Sequence, residues 1–180
     1  ASSNYLSWGV EYTGVDDFNS YLDFLYTEDE LPTVYVPVLD SGVNTDHELL
    51  KDRIAFEYGK DFTDNADNSK GYLFEDYSGH GSHTAGIIAN QTKSNVKIIP
   101  LKVLKENGKG TVSMILNAIQ YVLYGLNGNE IKNWTGEVYN LNCRVMNMSL
   151  GVESDDGSPV TNKSLENLVR TANSLGVLSV

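Results

Sequence analysis

Cysteine is almost absent: Cys143 stands alone in 180 residues, so no disulfide can form within the chain. It leads into the apolar run around Val145 and reads as a small buried core residue rather than a reactive thiol. Basic residues are also short. Thirteen Lys and Arg face 24 Asp and Glu, a formal net charge of −11. Such a surface repels phosphate backbones and argues against nucleic acid as a partner. No apolar run is long enough to span a membrane. No signal peptide is visible, so residues outside the chain would direct any export. No repeat or low-complexity segment appears. What remains is ordinary for a globular domain, with 41% hydrophobic and 21% charged residues. The length fits one domain with a sizeable core.

Periodicity places the elements. Val15, Phe18, Tyr21, Leu22 and Leu25 fall at helical spacing, which predicts a helix over 15–26. Residues 33–39 form a compact β-branched run and read as a buried strand. The Asn- and Asp-rich stretch from Asp61 to Lys70 reads as a loop. A helix of small and apolar residues is predicted over 80–90, and a second strand over 96–104. After a turn flanked by Gly108 and Gly110, Thr111 reads as the N-cap of a helix running to about Tyr124. Residues 145–150 read as a strand, 153–161 as an acidic loop and 163–175 as a helix stopped by Gly176. The terminal Val-Leu-Ser-Val starts one more strand, expected to be central in its sheet. Alternating strands and helices imply an α/β fold, a mainly parallel sheet with helices on both faces. Sites in such sheets lie at the carboxyl ends of strands, where Asp40 and Ser149–Gly151 both fall.

Two residues stand out chemically. Asp40 closes a mostly aliphatic run, so its carboxylate is shielded and needs a partner. The alternative is an aspartate that caps its own Asp-Ser-Gly turn. His80 lies between Gly79 and Gly81 at a helix opening, and glycine allows another chain to approach closely. A histidine so placed is anchored at one end and exposed at the other, which suits a general base held by a buried carboxylate. Asp40 would accept the Nδ1 proton of His80 and fix its tautomer. His83, three residues on, shares a helix face with His80, and with Asp40 the pair could ligate a metal. The absence of H-E-x-x-H and of a nearby cysteine argues against that, so His83 is expected to pack beneath the site with a backbone hydrogen bond. His47 reads as incidental. A nucleotide-binding reading would need a glycine-rich turn after the first strand, and Asp40-Ser-Gly-Val is not one.

Four blocks in order, YVPVLDSGVNTDHELL, DYSGHGSHTAGIIA, IIPLKVLKENGKGTVSMILNAIQYV and VMNMSLG, resemble the successive motifs of the subtilisin-like serine proteases. The similarity runs, with gaps, from about Trp8 to the last residue. The lead segment Tyr5–Val10 resembles the start of a mature catalytic domain. The resemblance makes residues 1–180 the N-terminal portion of a single catalytic domain, and implies a three-layer α/β/α fold, incomplete on its C-terminal side, and a serine endopeptidase working through an acyl-enzyme. It makes Asp40 the triad aspartate and His80 the triad histidine. It matches Ser149, Leu150 and Gly151 to a wall of the S1 pocket, and Lys109 and Gly110 to an edge that pairs with an extended peptide substrate. It matches Leu104, Val112 and Ile115 to positions lining apolar subsites. It further implies a secreted or cell-surface enzyme, bacterial in origin.

The departures are as informative. Neither the oxyanion asparagine nor a G-T-S-x-A-x-P nucleophile block is found, and Ser149 sits in the wall motif instead. The chain alone is therefore expected to be inert, and a complementary C-terminal segment carrying the serine becomes its expected partner. An inactive half-domain that only binds extended peptides is the alternative. No cofactor is implied except calcium. The main family site looks lost, with Leu49 at an aspartate position and the following loop shortened to Asn90–Asn95.

Overall fold

The computed structural model describes residues 8–63, 74–132, 134–152 and 160–180. Two short helices, α1 (Trp8–Thr13) and α2 (Val15–Leu25), precede β1 (Val34–Asp40). After β2 (Lys60–Asp61) come α3 (His80–Gln91), β3 (Val96–Lys102) and α4 (Val112–Gln120). A π-helical turn, Tyr121–Leu126, continues α4, and β4 (Val145–Met146), α5 (Lys163–Ser174) and β5 (Leu178–Ser179) follow. β1 and β2 both pair with β3, and β4 pairs with β5, all in parallel. A parallel bridge between Val38 and Asn147 joins the two groups. The strand order is therefore β2-β3-β1-β4-β5.

Alternation along the strands sorts their side chains to two faces. Leu39, Ile99, Leu101 and Val103 pack with Met114, Ile115, Ile119 and Ala172 on the side of α4 and α5. Val38 and Ile98 pack with Ala85 and Ala89 of α3 on the other side. Three layers result, with α3 on one face and α4 and α5 on the other. Each fully buried aliphatic side chain contributes roughly 1.5–3 kcal/mol. Pairing of Val34 with Val96 through Asp40 with Lys102 fixes the register. Asp40, two residues from Val38, thus points to the α3 face. A one-residue slip would turn it toward α4 and α5.

Several expectations are adjusted. α2 forms, but it contains no buried residue. Phe18, Tyr21 and Phe24 are exposed. The inner side of α2 lines an open cavity of about 550 Å³ with Leu31, Pro32 and Val34. β3 stops at Lys102 because the amides of Val103 and Leu104 both donate to the Asp40 carbonyl, at 2.8 and 3.1 Å. β4 is two residues long; beyond it Asn147 bonds to β1 and the Met148 amide donates to the Val180 carbonyl. β5 pairs on one side only, with β4, so among the described residues its other edge is open, as a sheet awaiting further strands would leave it. The Thr111 cap matches expectation, its Oγ1 accepting from the Met114 amide; Asn162 Oδ1 caps α5 by accepting from the Leu165 amide. Cys143 is fully buried, and burial pushes its thiol up to about 12. Residues 64–70 of the expected Asp61–Lys70 loop, 153–159 of the acidic loop and 5–7 of the lead segment lie outside the described residues.

Candidate active site

β1 delivers Asp40 to its carboxyl end fully buried. α3 begins at His80, whose Nδ1 lies 2.8 and 2.9 Å from the two Asp40 carboxylate oxygens. A carboxylate can only accept, so Nδ1 carries the proton and Nε2 is the acceptor of the neutral ring. The imidazole is 54% exposed while the carboxylate is wholly covered. The hydrogen bond from His80 to Asp40, and then the negative charge of Asp40, raise the histidine pKa above its ordinary value. The same Oδ1 accepts from the Ser41 amide at 2.6 Å, which fixes the carboxylate from its own turn. The result is an oriented, half-exposed imidazole whose basic Nε2 has no hydrogen-bond partner among the described residues.

Glycine at 81 allows this approach. A Cβ there would lie 2.1 Å from the Gly42 carbonyl oxygen and 3.2 Å from Asp40 Cβ. The close contact anticipated from the flanking glycines is thus with the Asp-Ser-Gly turn. His83 does not lie beneath the site. It is exposed, because Thr84, Ala85 and Ala89 occupy the sheet-facing side of α3. At about 100° per residue, position 83 turns away from them. His47 lies in its surface turn, where Nδ1 accepts from the Leu49 amide.

The remaining expected site residues lie at the carboxyl side of β3 and after β4. Lys109 and Gly110 are exposed and close a turn in which the Lys105 amide donates to the Lys109 carbonyl. Leu104 and Val112 are half-buried, while Ile115 is buried in the core against α5. Ser149 and Gly151 are exposed and Leu150 is half-buried. Ser149 Oγ donates to Asn147 Oδ1 at 3.0 Å.

Calcium does not fit at Leu49, an apolar side chain about half exposed. Among the described residues no group of three or more His, Cys, Asp or Glu could hold a metal ion. Around the end of α3 and the short loop to β3, the carbonyls of Ala89, Thr92, Lys93 and Val96 accept from the Arg53 guanidinium.

One side chain at this junction escaped the sequence reading. Asp76 lies four residues before His80 and receives hydrogen bonds from Ser41, Ser78, Gly79 and Ser82. An acid just ahead of a helix start is a capping signal, but in a polar stretch it looks like any turn aspartate.

The chain resembles known proteins along most of its length. A family model described as the Subtilase family matches residues 32–180. Subtilisin-like protease 3 of Saccharomyces cerevisiae is 36% identical over 121 residues, covering 64% of this chain and 24% of that protein. The intracellular serine protease of Paenibacillus polymyxa is 40% identical over 98 residues, covering 50% of this chain and 29% of that protein. A crystal structure of a cold-adapted subtilisin-like serine proteinase superposes with a TM-score of 0.57 at 30% identity, covering 82% of this chain and 45% of that one. The chain thus spans about a quarter of the length of the two curated relatives.

Proposed function

Because the chain belongs to the subtilase family, with residues 32–180 matched, we propose that it supplies the aspartate and histidine of a serine endopeptidase whose nucleophile lies outside these 180 residues. The observation that carries this reading is the His80–Asp40 pair, with Nδ1 2.8 Å from a buried carboxylate and the rest of the ring exposed. In the intact enzyme His80 Nε2 takes the proton of the serine hydroxyl as its oxygen bonds to the scissile carbonyl carbon. His80 then gives that proton to the departing amine as the C–N bond breaks, and water reverses the sequence to release the acid. Asp40 holds the ring and stabilises the imidazolium. Ser41 and Ser82, near the histidine, donate their hydroxyls to Asp76 and not to the base, His80 Nε2. An extended peptide would lie between the Lys109–Gly110 edge and Ser149–Gly151 and be held through main-chain hydrogen bonds.

An active-site-directed phosphonate tests the reading on the intact protein. The label is expected on a serine outside residues 1–180, with labelling slowed by orders of magnitude in His80→Ala. Label on a residue within 1–180, or labelling indifferent to His80→Ala, would overturn it.

A further inference from the structure

Beside the His80–Asp40 contact, several hydrogen bonds at the junction of the β1 end and the α3 start meet at one side chain. Asp76 Oδ1 accepts from Ser41 Oγ at 2.8 Å, from the Ser78 amide at 3.0 Å and from the Gly79 amide at 2.9 Å. Its Oδ2 accepts from the Ser82 amide at 2.8 Å and from Ser82 Oγ at 2.6 Å. Ser41 Oγ in turn accepts from the Gly81 amide at 2.9 Å. Ser82 Oγ accepts from the Asn44 amide at 2.9 Å. One carboxylate therefore fastens the residue after Asp40 and the residues on both sides of His80. Five donors on one half-buried carboxylate exceed what a helix cap requires.

We infer that Asp76 is a positioning residue for catalysis: through Ser41 and Ser82 it sets the placement of His80 against Asp40, and its charge acts on the imidazole. The inference rests on the endopeptidase reading for its kinetic consequence but not for its structural one. The charged groups around the junction are Asp40 at the end of β1, Glu75 and Asp76 ahead of α3, and Lys102 on β3. Lys102 Nζ donates to the Glu75 carbonyl at 2.6 Å. The Glu75 carboxylate accepts from Thr45. Burial works against the Asp76 carboxylate, but the bonds from Ser82, Gly79 and Ser41 outweigh it and lower its pKa. Asp76 also adds to the raised basicity of His80, after Asp40 itself.

The test uses the intact enzyme and two substitutions, with His80 followed by NMR as well as by rate. Asp76→Asn removes the charge and turns an NH₂ toward donors. It should lower kcat by roughly 10- to 100-fold, the scale of a small misplacement at a reacting centre, with KM within about threefold. It should also move the acid limb of kcat/KM, and the His80 titration, to lower pH. Ser41→Ala keeps the charge and cuts one link, so kcat should fall while the acid limb stays. A folded Asp76→Asn protein with unchanged kcat and unchanged His80 titration overturns the inference. If Asp76→Asn does not fold, an unchanged kcat in Ser41→Ala overturns it instead. Failure of the endopeptidase reading would look different: His80→Ala would leave hydrolysis intact while the His80 titration still responded to Asp76→Asn.

Discussion

At the scale of residues, His80 is held by a partner that raises its basicity, and this has two opposite consequences. Catalysis needs the neutral ring, so the acid limb of kcat/KM should fall above about pH 6.5, the ordinary histidine value. Stability runs the other way. The extra stability from a raised histidine is fully present below the ordinary value and is lost as pH rises through the raised one. Asp76, with a lowered pKa, stabilises above the ordinary carboxylate range, and that contribution is lost as pH falls through its lowered value. Both contributions are therefore whole between about pH 4 and 6.5, below the pH at which the enzyme should work best. Asp40→Asn should lower kcat by roughly 10⁴-fold, because an amide no longer selects the tautomer with a free Nε2. A pH–rate profile for each protein checks these statements. The pairing of Asp40 with His80 was legible because an aliphatic run shields one and two glycines flank the other, and because both sit in blocks that resemble the family's motifs. Asp76 was not, because its meaning depends on Ser41, 35 positions away in sequence.

At the scale of elements, α3 is held at both ends by charged side chains, Asp76 at its start and Arg53 at its end. Arg53 donates to Val96 through Nε, to Ala89 through Nη1, and to Thr92 Oγ1 and Lys93 through Nη2, each at 2.7–2.9 Å. The helix C-terminus carries partial negative charge, which a guanidinium offsets. Removing it as Arg53→Met should destabilise the domain by about 2–3 kcal/mol, since it strands several carbonyls. Chemical denaturation measures this. In the parent protein a chelator should leave the melting temperature unchanged, because Leu49 offers no ligand and Arg53 already donates to these carbonyls; a large drop would point to a metal elsewhere. The helices themselves were legible from apolar spacing and caps. The fate of α2 was not: its stripe of Val15, Phe18 and Leu22 has the right period, but period alone does not say what covers a face. The π-helical turn after Gln120 was equally hidden, because Tyr121–Leu126 are all buried and carry no helix stop.

At the scale of the whole molecule, parallel strands bring Asp40 and the Lys109–Gly110 and Ser149–Gly151 segments to one edge of the sheet, the usual place for chemistry in this architecture. The layer order was legible because alternating strand and helix signals leave few arrangements. The strand order β2-β3-β1-β4-β5 was not, because β2 and β5 each span two residues and pair through contacts far apart in sequence. Tyr12, Phe18, Tyr21 and Phe24 are exposed, and β5 pairs on one side only among the described residues. Exposed apolar surface and an open strand edge favour association. The most direct measurement is therefore a peptide-hydrolysis assay on residues 1–180 alone and with the complementary segment carrying the serine, each run with the parent sequence and with His80→Ala. The account predicts no hydrolysis by residues 1–180 alone, hydrolysis on addition of the segment, and its loss in His80→Ala. Hydrolysis by residues 1–180 unaided, or restored hydrolysis that survives His80→Ala, would contradict it.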